Sequence, residues 1–151
     1  MQKSLKVTKL TEREQVEAAR IFSAEWSNRG DENADYQIFW INLFQYVFGV
    51  DRPDKMIKFQ FPVKLKKSTG HIDALILHTK VLIEHKSFGV DLDKTFKQSD
   101  GIFLTPFQQA LRYAKALPYT QQPRWIITCN FKELRIYDMV SYELYVELPT
   151  A

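Results

Sequence analysis

The sequence predicts a mixed α/β domain in which helices flank a central β-sheet. Two segments near the N-terminus carry apolar residues at helical spacing. Three strand patterns follow, and a further helical segment separates these from three more strand patterns at the end of the chain. The predicted order is therefore α-α-β-β-β-α-β-β-β. The length of 151 residues suits one domain, so we expect residues 1–151 to form a single unit.

Composition and charge restrict the class of protein. An apolar share of 45% with only 5 Gly and 6 Pro is typical of a globular chain and excludes a low-complexity one. The net charge of +3 is compatible with a nucleic-acid partner but is no evidence for one. Cys129 is the single cysteine and lies in an apolar run, which fits a reducing compartment. Nothing resembles a signal peptide or a membrane span, so we expect a soluble intracellular protein with no membrane contact.

The two N-terminal helices are predicted at residues 11–28 and 31–48. Thr11 with Glu14 forms a capping-box pattern at the start of the first helix. The second helix has the more regular apolar stripe, and Gly49 ends it. We assign the first helix either to the scaffold or to an interface with another segment or protein, because it carries no pattern typical of a site.

Glu32 projects from the apolar stripe of the second helix. It stands four residues before Tyr36, so the two side chains project from the same face. A carboxylate in the first turn is favoured by the helix dipole. It is also suited to act as an acid directed at the interior near the sheet, and the helix alone does not separate these interpretations.

The first strand is predicted at residues 56–66, where apolar and polar residues alternate. Pro62 indicates an edge strand or a bulge, because proline cannot donate to a β-ladder. Lys64, Lys66 and Lys67 give the end of this strand positive charge. They form either a contact surface for phosphates or an ordinary solvated face.

The stretch 71–87 predicts a β-hairpin, because a short break separates two β-branched apolar runs. If His78 and Thr79 form the two-residue turn, Asp73 lies directly opposite Glu84. Directly opposed residues share a face, with Cβ atoms about 4.5–5.5 Å apart.

Three charged side chains then share one face of the hairpin. Lys86 is two residues beyond Glu84 and lies on the face that Glu84 shares with Asp73. The opposite face would contribute to the core with Ile72, Ala74, Ile76, Val81 and Ile83. Two adjacent carboxylates repel each other unless a cation compensates. A hard cation such as Mg²⁺ does so, at about 2.0–2.1 Å from carboxylate oxygens. A structural ion cluster, with Lys86 neutralising one carboxylate, fits the same pattern.

Other acidic residues are weaker candidates. Asp54 follows a proline, but it precedes a whole further strand before the hairpin. Asp91 and Asp93 lie in the polar segment 88–104, which we expect to be an irregular surface loop.

A third helix is predicted from Thr105, as N-cap, and Pro106, at the first position, to about Leu117. Gln109 and Tyr113 are four residues apart, so they stack on one face at the edge of the apolar stripe. They suit either packing with a hydrogen bond or a role beside a site. Residues 124–130 form a fully apolar segment typical of a central strand, and two alternating strands follow at residues 133–139 and 142–148.

The combined motifs resemble the PD-(D/E)XK nuclease superfamily in its RecB-like branch. The motif residues are Glu32, Asp73, Glu84-His85-Lys86 and Gln109-x-x-x-Tyr113. Five longer segments resemble the N-terminal endonuclease domain of MmeI-type (type IIG/IIL) restriction–modification enzymes. They are GDENADYQIFW, IDALILH, VLIEHKS, LTPFQQALRYAKALP and PRWIITCNF. The resemblance runs from about Trp26 to Asp138. It departs from the superfamily at Ile72, which stands where the name-giving proline would be.

The resemblance implies a restriction-endonuclease-like fold and Mg²⁺-dependent hydrolysis of DNA, with Mn²⁺ as a substitute. Asp73, Glu84 and the backbone carbonyl of His85 would hold the metal, and Glu32 would bind a second ion or a metal-bound water. Lys86 would orient the attacking water and stabilise the transition state. Gln109 and Tyr113 would support the site and fix the nearby phosphate.

The resemblance also implies partners. We expect double-stranded DNA as substrate, transient dimerisation on it, and a prokaryotic cytoplasm as the location. A methyltransferase and a target-recognition region would follow on a longer polypeptide, with S-adenosylmethionine bound only there. Two alternatives stay open: a RecB-like repair or junction nuclease, and a non-catalytic module that docks DNA or a neighbouring domain.

Overall fold

The computed structural model describes residues 5–141 and 143–149, and the side chains at positions 32 and 146–149 are outside that description. The four helices are α1 (Glu12–Trp26), α2 (Glu32–Asn42), α3 (Pro53–Met56) and α4 (Pro106–Ala116), and a π-helical turn, Leu43–Val47, extends α2. The eight strands are β1 (Lys58–Lys64), β2 (Thr69–Ile76), β3 (Val81–His85), β4 (Phe96–Lys97), β5 (Phe103–Leu104), β6 (Trp125–Cys129), β7 (Glu133–Asp138) and β8 (Glu143–Pro149). Across the described ranges, none of the helices is both long enough and apolar enough to cross a bilayer.

Six strands form one mixed sheet in the order β1-β2-β3-β6-β7-β8. β3 and β6 run parallel and are connected through α4, whereas the other neighbours are antiparallel. The predicted fold class is confirmed: helices flank a mixed sheet, as in a restriction-endonuclease-like fold. β6 takes the predicted central position, and burial there raises the pKa of the Cys129 thiol to about 12.

One part of the predicted order is wrong. The segment 88–104, expected to be irregular, contains β4 and β5, which pair as a separate two-stranded hairpin. Its polar composition concealed strands of only two residues each.

The helix termini follow the sequence signals. Thr11 and Glu14 form the predicted capping box of α1, and Thr105 forms a second one with Gln108 at the start of α4. Gly49 has a φ of +74°, in the left-handed region that favours glycine, just after the π-helical turn. These caps satisfy backbone N–H groups that a helix leaves unpaired at its start.

Two apolar clusters cover the two faces of the sheet. The aromatic cluster packs α1 and α2 against the sheet through Phe22, Trp26, Tyr36, Phe39, Trp40, Ala74, Ile76, Ile83 and Phe131. The α4 cluster packs α4 against the other face through Val63, Ile72, Leu75, Leu82, Ala110, Ala114, Leu117 and Ile126. Full burial of one large apolar side chain contributes about 1.5–3 kcal/mol. Val16 lies on the exposed side of α1 and is not part of the aromatic cluster.

The regular alternation of side chains between the two faces of the sheet is interrupted at Gln60 in β1 and at Asp73 in β2. Gln60 adopts a φ of +51°, and the regular pairs on either side of it leave Gln60 and Asp73 out of the ladder. As a result Ala74 packs in the aromatic cluster while Ile72 packs in the α4 cluster. The prediction that Ile72 and Ala74 share a face is therefore wrong.

Candidate active site

The hairpin has the predicted register. Ala74 of β2 pairs with Ile83 of β3, so Asp73 and Glu84 are the next positions along the two strands. The turn spans residues 77–80, so it is two residues longer than the predicted His78-Thr79 turn, but the pairing of the strands is unchanged. The ladder ends at the Ala74 pair, and the two carboxylates lie where the strands separate.

Asp73 is held by the backbone of the opposite strand. Its Oδ2 atom accepts a hydrogen bond from the N–H of His85 at 2.7 Å. Hydrogen bonds to a charged acceptor contribute about 1.5–3 kcal/mol. The half-buried carboxylate therefore has a defined position between β2 and β3.

Glu84, Lys86 and Gln109 form one chain of contacts. Glu84 is 2% exposed, and its Oε1 atom lies 3.2 Å from Nζ of Lys86. The same Nζ donates to Oε1 of Gln109 on α4 at 3.1 Å and lies 5.3 Å from the ring centre of Phe96. Glu84 and Lys86 share a face as predicted, and the structure brings Gln109 to them. Two charges this buried are tolerated because they compensate each other.

Tyr113 lies on the backbone of β2. A Cβ atom at Gly70 would come within 2.7 Å of Cε1 in the Tyr113 ring. The missing side chain at Gly70 lets this ring rest on the strand three residues before Asp73. Gln109 and Tyr113 thus both face the sheet, Gln109 at Lys86 and Tyr113 at β2.

The predicted acid Glu32 is the first residue of α2. Its side chain lies outside the described part of the structure, so its role stays a prediction. Tyr36, one turn further along α2, is 3% exposed and donates from its hydroxyl to the backbone carbonyl of Asp73 at 3.2 Å. The face of α2 that carries Tyr36 therefore meets the hairpin at Asp73.

Tyr36 and Gln60 are site residues that the sequence analysis missed. Nε2 of Gln60 donates to the Tyr36 hydroxyl at 2.6 Å. Burial raises the pKa of Tyr36, the negative charges of Asp73 and Glu84 add to this effect, and the hydrogen bond from Gln60 opposes it. The position of Tyr36 four residues after Glu32 was a usable signal. Gln60 had no such signal in the sequence, because its contact with the Tyr36 hydroxyl accompanies a positive φ that the strand pattern does not predict.

The His85 side chain lies on the opposite face of β3 from Glu84 and Lys86, so it is not a candidate base. Its ring is fully buried, and Nδ1 accepts a hydrogen bond from Nε1 of Trp40 at 2.8 Å. The ring centre lies 4.2 Å from that of Phe131. Burial lowers the pKa of His85 to about 3, so the imidazole is neutral. The backbone of His85 contributes to the site through its N–H group, and its carbonyl remains a predicted ligand.

The excluded acids have other partners. Asp54 forms an exposed ion pair with Arg52 at 2.6 Å, and Asp93 pairs with Arg135 of β7 at 2.7 Å. Asp54 and Asp93 therefore each have a cationic partner away from the hairpin.

The hairpin supplies two carboxylates of the kind that Mg²⁺ binds. Over the ranges that the structure describes, no three His, Cys, Asp or Glu side chains form a group that could hold a metal ion. Mg²⁺ commonly uses only one or two carboxylates and keeps several waters. Asp73 and Glu84 supply two carboxylates just beyond the end of the β2–β3 ladder, and a metal held by both stays a prediction.

Comparison with known families agrees with the motifs. The family model for the N-terminal domain of MmeI matches residues 16–150. No curated protein and no solved structure matches the chain significantly. The matched range includes every strand of the sheet and relates the chain to restriction–modification enzymes. Because the match covers most of its length, the chain belongs to the family of MmeI N-terminal domains.

Proposed function

We propose that this domain is a Mg²⁺-dependent endonuclease of a combined restriction–modification enzyme, which hydrolyses phosphodiester bonds in double-stranded DNA. The observation that carries the proposal is the chain Glu84–Lys86–Gln109 beside the anchored carboxylate of Asp73. It places two acids and one cation where β2 and β3 separate.

Asp73, Glu84 and the backbone carbonyl of His85 are the proposed metal ligands, with Glu32 as a further acid. When bound, Mg²⁺ (or Mn²⁺ in its place) lowers the pKa of a water molecule and screens the charge on the phosphate. The N–H of His85 holds Oδ2 of Asp73, which would give this acid a fixed position as a metal ligand.

Lys86 is the proposed catalytic cation. Its Nζ atom is held between Glu84 and Gln109, and its side chain is only 12% exposed. A preorganised cation in a site with little water stabilises developing negative charge and orients the attacking water. Gln109 would position Lys86, and Tyr113 would hold β2 and the nearby phosphate.

Tyr36 and Gln60 act as positioning residues in this proposal. Tyr36 holds the carbonyl of Asp73, while the N–H of His85 holds its carboxylate. Asp73 is thus restrained at both its backbone and its side chain, which favours the precise geometry that catalysis needs.

The proposed partners follow from the family. A methyltransferase and a target-recognition region on the same polypeptide would supply S-adenosylmethionine binding and site choice. Cutting both strands would require transient pairing of two such domains on DNA.

A second candidate is a non-catalytic module that docks DNA or a neighbouring domain. The ion pair between Glu84 and Lys86 favours it, because the two buried charges compensate each other without a metal. A RecB-like repair nuclease would share the chemistry and differ in its partners.

Plasmid nicking in Mg²⁺ and in EDTA tests the proposal. The wild type should nick only with Mg²⁺, Asp73→Ala and Lys86→Ala should not, and Asp54→Ala should match the wild type. Metal-dependent nicking that survives both site substitutions contradicts the site assignment. If the complete polypeptide never cuts, the docking module is the better account.

A further inference from the structure

A basic groove lies between the turn that joins β1 to β2 and one side of α4. Its volume is about 570 Å³. The charged residues that line it are Lys64, Lys66 and Lys67 on the turn side, and Asp100, Arg112 and Lys115 on the helix side. Five cationic side chains therefore share the groove with one carboxylate.

The single acid of this lining does not cancel the basic character. Asp100 forms an ion pair with Arg112 at 2.5 Å, and both side chains are roughly one-third exposed. The three turn lysines are exposed to solvent. The groove consequently presents positive charge on both of its walls.

The groove adjoins the candidate active site through α4. Gln109 and Tyr113 face the sheet, while Arg112 and Lys115 line the groove on the same helix. The turn wall continues into β2, where Tyr113 rests on Gly70. A ligand in the groove would thus pass close to the residues proposed to act on a phosphate.

We propose that this groove binds the phosphodiester backbone of DNA next to the bond to be cut. The choice of DNA rests on the proposed nuclease function, whereas the location rests on the groove itself. Duplex DNA carries one negative charge per about 1.7 Å of its axis, which suits cations on two facing walls. Contacts of this kind position the duplex without reading its sequence.

The size of the effect follows from counterion release. Each phosphate contact contributes about −0.9 to the slope of log K against log salt concentration. Removing three such contacts should reduce the steepness by about 2–3 and weaken binding about 100-fold at physiological salt.

Fluorescence anisotropy of a short labelled duplex, in EDTA and over a salt series, tests the inference on the full chain. The groove variant combines Lys66→Gln, Lys67→Gln and Lys115→Gln. A matched control combines Lys6→Gln, Lys55→Gln and Lys58→Gln, which removes the same charge from exposed positions. Lys58 is at the start of β1 and Lys64, which lines the groove, is at its end. The control position Lys58 is therefore about 20 Å along the strand from the groove.

The inference predicts a flatter salt dependence and weaker binding for the groove variant, with the control close to the wild type. Equal weakening in both variants, or an unchanged groove variant, overturns it. Polyglutamate serves as a second probe. A groove variant that loses binding to polyglutamate but keeps binding to DNA also overturns the inference, in favour of an acidic protein partner. Nicking assays separate the two proposals. Groove-dependent binding without any cutting removes only the nuclease function, and cutting with unchanged affinity removes only the groove.

Discussion

The carboxylate of Asp73 accepts a hydrogen bond from the backbone N–H of His85 at 2.7 Å. This bond joins the two strands of the hairpin at the point where their ladder ends. It explains how an acid can stand in the gap between β2 and β3 with a fixed orientation. Glu84, the residue before His85, then lies on the face that carries Lys86.

Replacing Lys86 by Met should remove the charge and keep most of the stem. We expect nicking to fall on the order of 100-fold or more, since a preorganised cation is lost. The free energy of unfolding without metal should fall by about 3–5 kcal/mol, because a buried ion pair loses one partner. Added Mg²⁺ should raise the Tm of Lys86→Met more than that of the wild type. Equal Tm shifts in the two proteins would argue against a metal beside Glu84.

Replacing Tyr36 by Phe should remove the hydrogen bond to the Asp73 carbonyl and leave Gln60 without its acceptor on that hydroxyl. We expect a loss of about 1–2 kcal/mol in the free energy of unfolding. The Mg²⁺ concentration for half-maximal nicking should rise, which a merely structural role would not produce. Tyr46→Phe, at an exposed tyrosine, serves as the control. A normal Mg²⁺ requirement in Tyr36→Phe would show that Tyr36 does not position the site.

The hairpin could be predicted from the sequence because its physics is local. A break of three residues permits few turns, and the β-branched runs on either side fix which residues pair. The register places Asp73 beside Glu84 without help from the rest of the chain. The same holds for α4, where capping and spacing are sequential signals.

The faces of β1 and β2 could not be predicted in the same way. Phe59, Phe61 and Val63 alternate with polar residues, which predicts one shared face. In the structure Phe59 joins the aromatic cluster and the other two join the α4 cluster, because Gln60 has a positive φ. Non-glycine residues rarely adopt that conformation, so the alternating pattern gave no reason to expect it. The contact of Gln60 with the Tyr36 hydroxyl depends on the same local fold.

Replacing Gly70 by Ala should displace the Tyr113 ring, since a Cβ atom would lie 2.7 Å from its Cε1 atom. Overpacking of this kind costs about 1–3 kcal/mol. The test is a double-mutant cycle measured by urea unfolding. Gly70→Ala should cost much less in a Tyr113→Ala background, because the clashing ring is gone. Additive losses would mean that the two residues do not interact as described.

Stability should fall in mild acid because of His85. Its pKa in the folded protein is about 3, whereas an unperturbed histidine titrates near pH 6.5. Between these values the unfolded chain binds a proton that the folded chain does not, so stability is lost as pH falls below about 6.5. The contribution is up to about 1.4 kcal/mol per pH unit. Urea unfolding across this range should show a smaller slope for His85→Gln. His71→Gln, at an exposed position, serves as the control. A wild-type slope in His85→Gln would contradict the assignment.

Calorimetric titration with Mg²⁺ tests the central claim, that Asp73 and Glu84 hold a divalent metal. Asp73→Asn keeps an oxygen that can accept from the N–H of His85, so the hairpin should survive while a negative ligand is lost. Wild type and Asp54→Asn should bind Mg²⁺ with equal affinity, and Asp73→Asn should bind it at least about 10-fold more weakly. Equal Mg²⁺ affinity in Asp73→Asn and wild type, or no binding by the wild type, would contradict the account.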